Sequence, residues 1–108
     1  MQNEIINNFE KYCYEENYDN IEIYLKKYDY LANYDDGYFF GIIADANNLK
    51  LIDLFLQYNA NVENDNYYVL YKLAENRNLN FVLKIMNKHN IDIEVIKNTR
   101  GYNETKKL

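Results

Sequence analysis

Apolar residues recur along this chain at helical rather than strand spacing. Phe39, Phe40, Ile43 and Ala44 fall at i, i+1, i+4 and i+5, which is one face of a helix. Leu51, Ile52, Phe55 and Leu56 repeat the pattern after a short break, and Val69, Leu70, Leu73 and Ala74, then Phe81, Val82, Ile85 and Met86, repeat the whole arrangement. The spacing predicts first helices over 38–46 and 68–76 and second helices over 49–57 and 79–88. So few residues separate the members of each pair that they must run antiparallel. Phe40, Ile43, Leu51, Phe55, Leu70, Leu73, Val82 and Ile85 are the expected core. Asn61-Val62-Glu63 and Ile91-Asp92-Ile93 alternate, but such segments are too short to build a sheet.

The two helix pairs are copies of one unit. Phe40-Gly41-Ile42-Ile43-Ala44 is echoed by Leu70-Tyr71-Lys72-Leu73-Ala74, and Asn47-Asn48-Leu49-Lys50-Leu51-Ile52 by Arg77-Asn78-Leu79-Asn80-Phe81-Val82, both at an offset of thirty. Asn59-Ala60-Asn61-Val62-Glu63 returns as Asn90-Ile91-Asp92-Ile93-Glu94 one residue later. Three blocks in the same order mark a repeat. A weaker N-terminal copy aligns Asn20-Ile21-Glu22-Ile23-Tyr24-Leu25 with the block at Asn48 and puts Cys13 in the small-residue place of Ala44 and Ala74. Its spacing does not fit cleanly, so it reads as a divergent terminal unit. Asn59 and Asn90 stand where a helix ends on a left-handed residue, a place Asn tolerates best after Gly, and Asp29 is expected to do the same in the first unit. The expected organisation is a single domain with units at 5–33, 36–63 and 66–94. Residues 95–108 read as a capping segment or a frayed tail; Gly101 and Lys106-Lys107 favour the frayed tail.

The stretch Asn47 to Glu63, reading NNLKLIDLFLQYNANVE, resembles the second helix and exit of an ankyrin repeat, whose pattern is roughly G-H-L-x-I-V-x-L-L-L-x-x-G-A-D-V-N. Asp36 to Ala44 is similar to its first half, with Phe40 at the Leu and Ala44 at the second Ala. The third unit looks alike through Leu70, Ala74, Leu79 and Ile93. The resemblance covers about 17–94 and is strong over 36–94. The T-P-L-H tetrapeptide is replaced by Tyr38-Phe39-Phe40-Gly41 and Tyr68-Val69-Leu70-Tyr71, which weakens each first-helix start. Such short Asn- and Tyr-rich units are similar to ankyrin proteins of giant DNA viruses or obligate intracellular bacteria. The resemblance implies an all-α fold: a short helical solenoid of two clear helix pairs plus a divergent N-terminal pair, close to the three repeats such a stack needs. It also implies finger loops beside a concave face where protein partners bind.

Composition narrows the function classes. Twelve basic against seventeen acidic residues leave a net charge of −5, the wrong sign for a general phosphate-binding surface, so no nucleic-acid partner is expected. No apolar run approaches the ~18 residues of a membrane span. A single Cys cannot form an internal disulfide, which favours a reducing intracellular setting, in the cytoplasm of the source or of a host cell. A monomer is the expected state. Nineteen Asn and thirteen Tyr, with no Pro and no Trp, pull the mean hydropathy down to −0.61 despite a globular apolar share.

Candidate chemistry is thin. Cys13 and His89 are single copies in different units, so a Cys–His nucleophile pair is not expected; Cys13 reads as a small core residue, and His89 either as a cation suited to a helix end or as a simply solvent-exposed side chain. Asn61, Glu63 and Asp65 have the spacing of a calcium loop, but Asn66 and Lys72 stand where its Gly and Glu should be. Glu15, Glu16, Asp35, Asp36, Asp45 and Glu75 lie in loops or at helix ends, where carboxylates are solvated. No catalytic site, metal or cofactor is expected. The tyrosines are the remaining signal. Tyr30, Tyr34 and Tyr38 bracket the loop into the second unit, and Tyr67, Tyr68 and Tyr71 the loop into the third. With Asp35, Asp36, Glu63 and Asp65 they form a candidate protein-binding site, since Tyr gives broad amphipathic contact area and the acids favour a basic partner. Tyr34 and Tyr67 are expected to be exposed. The alternative is a structural remnant of a longer repeat protein with no dedicated partner, in which the tyrosines are scattered or sunk in the core.

Overall fold

A computed structural model describes residues 2–106. Helices account for nearly all of it: α1 (Gln2–Tyr14), α2 (Tyr18–Lys27), α3 (Tyr34–Asp45), α4 (Leu49–Gln57), α5 (Asn64–Glu75), α6 (Leu79–His89) and α7 (Arg100–Lys106), with 3-10 turns at Asp29–Asn33 and Ile93–Val95. No strand occurs among the described residues. The all-α expectation holds. α3 and α5 each begin with three left-handed residues (Asp35, Asp36, Gly37 and Asp65, Asn66, Tyr67), so regular helix starts at Tyr38 and Tyr68, where the apolar spacing places it.

The turn between paired helices is built the same way three times. Glu16, Asn47 and Arg77 take positive φ of 53°, 57° and 68°. Their N–H groups donate to the carbonyls of Cys13, Ala44 and Ala74, and the next residues, Asn17, Asn48 and Asn78, donate to Tyr12, Ile43 and Leu73. This double bond pattern is the Schellman ending of a helix. Asn17 and Asn48 then cap the following helices through their side chains, accepting from the N–H groups of Asn20 (3.2 Å) and Leu51 (3.0 Å).

These turns correct the register of the first unit. Asn17, not Asn20, is the counterpart of Asn48, and α2 opens five residues after Cys13, as α4 opens five after Ala44. The Asn20 alignment fails because α2 carries Tyr18 in the place of Leu49, which moves its apolar pattern. Asn59 (φ 66°) and Asn90 (φ 54°) do end α4 and α6 in the left-handed region. Asp29 does not: the chain runs from α2 straight into the 3-10 turn, because burying Leu31 and Ala32 wins over a left-handed cap.

First helices of consecutive units pack side by side, α1 on α3, α3 on α5 and α5 on α7, and each second helix packs on its own first helix. The body measures 51 × 24 × 18 Å. All eight expected core residues are buried in one contiguous cluster, joined by Phe9, Leu25, Leu31, Phe39 and Leu54. Its aromatic centre spans the units: Phe9 meets Phe39 edge-on with centroids 4.8 Å apart, and Phe40 stacks on Phe55 at 5.6 Å. Cys13 is fully buried beside them.

The frayed-tail reading of 95–108 is wrong over the described residues. Ile96 and Thr99 are fully buried, and Thr99 Oγ1 donates to the Ile96 carbonyl at 2.7 Å. α7 docks on the end of α5, held by Arg100 on Glu75 (3.0 Å) and by a two-pronged contact of Arg77 with Glu104 at 2.7 Å. Gly101, read as a sign of fraying, is buried there. A Cβ on it would lie 2.3 Å from the Ala74 carbonyl oxygen, so its missing side chain lets α7 approach. Lys107 lies outside the described residues.

Candidate functional site

Two equivalent loops come together between α3 and α5. Asn33 ties them: its Nδ2 donates to the Asn59 carbonyl at 2.9 Å, while its Oδ1 accepts from the Asn61 N–H at 2.7 Å and from Asn64 Nδ2 at 2.8 Å. Asp36 Oδ1 accepts the Asp65 N–H at 3.1 Å, one left-handed loop capping the other. Gly37, at φ 81°, sits so close to Asn64 that a Cβ would come within 2.7 Å of it. Asn61, the first residue of the calcium-like spacing, instead spends its Oδ1 on the Glu63 N–H at 2.9 Å, an Asx turn.

Beyond this junction lies a groove of about 440 Å³. Asp35, Asp36, Asp45 and Asp65 line it, with Tyr14, Tyr38 and Tyr68 as aromatic walls and Gly37, Gly41, Ile42, Asn64 and Val69 completing it; no basic residue lines it. Both inner tyrosines are fixed by their hydroxyls: Tyr38 donates to Glu10 on α1 and Tyr68 to Asp45 on α3, so each ring bridges neighbouring first helices. Gly41 lies against the Tyr68 ring, and a Cβ there would meet it at 3.7 Å, an ordinary contact.

These contacts shift acidities. The carboxylate of Glu10 holds the Tyr38 phenol well above its ordinary value, and the hydrogen bond to Asp45, aided by partial burial, pushes Tyr68 up to about 12. A folded-state value above the ordinary 10.0 means that the native protein keeps a proton the unfolded chain releases. The resulting stability is complete below pH ~10 and is lost as pH rises toward about 12. Tyr68→Phe should therefore flatten the fall of the thermal midpoint across that alkaline window. Identical slopes for the two proteins would show that the Asp45 contact is not made in solution. Burial, then Glu10, raises the Cys13 thiol, so it stays protonated and inert in ordinary buffers. His89 is exposed on the last turn of α6.

The candidate residues divide. Asp35, Asp36, Tyr38, Asp65 and Tyr68 meet in the groove, whereas Tyr30, Tyr34, Glu63 and Tyr67 do not line it. Tyr34 is half-buried and stacks on Phe39 at 5.6 Å, and Tyr67 is half-buried against the core with its hydroxyl toward Glu63 at 3.4 Å. The expectation that these two are exposed is corrected: a left-handed run follows Tyr34, and its counterpart ends on Tyr67 itself, and both rings pack inward against the core. Tyr30 is 41% exposed and packs edge-on against Tyr28. Tyr71 is 43% exposed on α5. Sequence reasoning missed Tyr14, which is 65% exposed, and the wall role of Asp45. With Cys13 aligned to Ala44, the residues that follow, Tyr14 and Asp45, occupy one repeat position, and that alignment could have found them.

Among the described residues, no helix is long and apolar enough to cross a membrane, and no three His, Cys, Asp or Glu side chains are grouped to hold a metal ion. No family model matches the chain, and neither a curated protein nor a solved structure matches it.

Proposed function

We propose that this chain is a protein-interaction module of ankyrin-repeat type, a short solenoid without catalytic activity that acts inside a cell as a monomer. The observation that carries the reading is the meeting of two equivalent loops and three neighbouring first helices in one tyrosine- and aspartate-lined groove. Recognition residues tend to sit on short connections held by rigid elements, and exposed Tyr is the residue type that interfaces favour. The thrice-repeated Schellman turn and the row of first helices support the repeat assignment. The solitary buried Cys13 fits a reducing compartment.

The test is capture from a lysate of the native cell. Tyr14→Ala combined with Tyr38→Ala should lose the captured proteins while the helical circular dichroism spectrum stays native. A control, Ile23→Ala with Leu83→Ala, removes exposed apolar groups outside the groove and should keep them. Retrieval of the same proteins at unchanged yield by the groove variant would favour the structural-remnant alternative, in which Tyr12, Tyr24 and Tyr28 merely pad a small core.

A further inference from the structure

The groove has a definite chemical character. Its four aspartates face no basic group among its lining residues, and the carboxylates of Asp35 and Asp65 have no ion-pair partner among the described residues. Two of its aromatic rings are held still by hydroxyls already committed to Glu10 and Asp45. What these rings offer an incoming group is therefore their faces and edges rather than hydrogen bonds. A carboxylate-rimmed slot with immobilised tyrosine rings complements a flat cation, which stacks on aromatic faces while its N–H groups reach carboxylates. Arginine combines both properties. A compact ammonium is more strongly hydrated and lacks the planar fork. The left-handed backbone at Asp35, Asp36 and Asp65 sets those carboxylates at the loop tips beside the slot.

We propose that this groove takes an arginine side chain from an extended basic segment of the partner protein. The assignment rests on the reading of the chain as an interaction module and names the chemistry its partner must present.

Charge can be removed here without disturbing the backbone. Asp35→Asn with Asp65→Asn keeps residues that tolerate positive φ at least as well, and neither carboxylate forms a hydrogen bond or ion pair among the described residues: the Asp65 contact to Asp36 runs through its backbone N–H. The probe is a short glycine–serine peptide carrying arginine, set against the same peptide with citrulline, a neutral group of the same shape. Amide NMR shifts provide the readout, because Gly37 and Gly41 line the groove and Gly101, in α7, does not. The arginine peptide should shift Gly37 and Gly41 and leave Gly101 in place. Its affinity should fall with added salt and drop about tenfold in the double variant, as for two partly exposed ion pairs. The citrulline peptide should not bind. Equal binding of the citrulline peptide, or of the double variant, would overturn the assignment. Silence at Gly37 and Gly41 would also overturn it. If Tyr14→Ala with Tyr38→Ala nevertheless abolishes partner capture, the interaction reading survives with a partner of different chemistry; if capture too is unmoved, both fall.

Discussion

Leu70→Ala should bring this protein to the edge of unfolding. Leu70 is fully buried on α5, the helix that packs against α3 on one side and α7 on the other. Emptying a buried Leu costs about 2–5 kcal/mol, the transfer term plus the cavity left behind. A domain of this length has roughly 5–15 kcal/mol in total, and the loss falls on α5 and its contacts with α3, α6 and α7. Each kcal/mol lowers the thermal midpoint of a domain this size by about 4–8 °C, so a fall of roughly 8–40 °C is expected. Leu83 on α6 is 37% exposed and serves as the comparison; truncating it should change stability by about 0.5 kcal/mol or less. Urea melts of both variants supply the measurement. A Leu70→Ala loss below ~1 kcal/mol would mean that the core between α5 and its neighbours is not packed as described.

The apolar spacing makes the second and third units readable because each buries a face that repeats every helical turn. α4 runs over Leu49–Gln57, the expected range, and α6 over Leu79–His89, one residue beyond it. Asn59 and Asn90 are readable for a separate reason: few residue types occupy the left-handed region cheaply, so a helix end in a chain with only three Gly falls to Asn. Arg77 and Glu16 break that rule. Their types do not announce a left-handed turn, and the positions emerge only from the repeated backbone bonds to Ala74 and Cys13. The first unit is harder to align because Tyr18 replaces an aliphatic residue, and a three-residue slip in register follows.

The groove is less legible than the fold. Its aspartates and tyrosines are visible as residue types, but which of them face one space depends on contacts across units. Tyr38 reaches Glu10 and Tyr68 reaches Asp45, pairs well separated in sequence. Tyr34 and Tyr38 lie four residues apart and read alike, yet one stacks on Phe39 and the other walls the groove. Helical spacing would put them on the same face. The left-handed residues between them break that spacing, and nothing in Asp35-Asp36-Gly37 beyond the glycine signals three such residues in succession.

The C-terminal segment offers the test in which the sign of the effect decides. If residues beyond 95 were a frayed tail, Gly101→Ala would be neutral, or would stabilise a nascent helix by about 0.5–1 kcal/mol, because Ala is the better helix former. In the docked arrangement the added methyl would sit 2.3 Å from the Ala74 carbonyl oxygen and 3.2 Å from the Arg77 Cα, both backbone atoms at the turn that closes α5. Neither can swing aside as a side-chain tip would, so α7 must move outward. Overpacking of this kind costs roughly 1–3 kcal/mol, and here it also lengthens the contacts of Arg100 with Glu75 and of Arg77 with Glu104. Ile96 and Thr99, fully buried under the same segment, would be opened to water. Gly101→Ala should therefore destabilise the protein, and the amides of α5 and α6 should exchange faster with solvent while those of α1 and α2 keep their protection. Gly101→Val should enlarge both effects. A midpoint that rises in Gly101→Ala would place α7 off the body and leave the third unit without its cap.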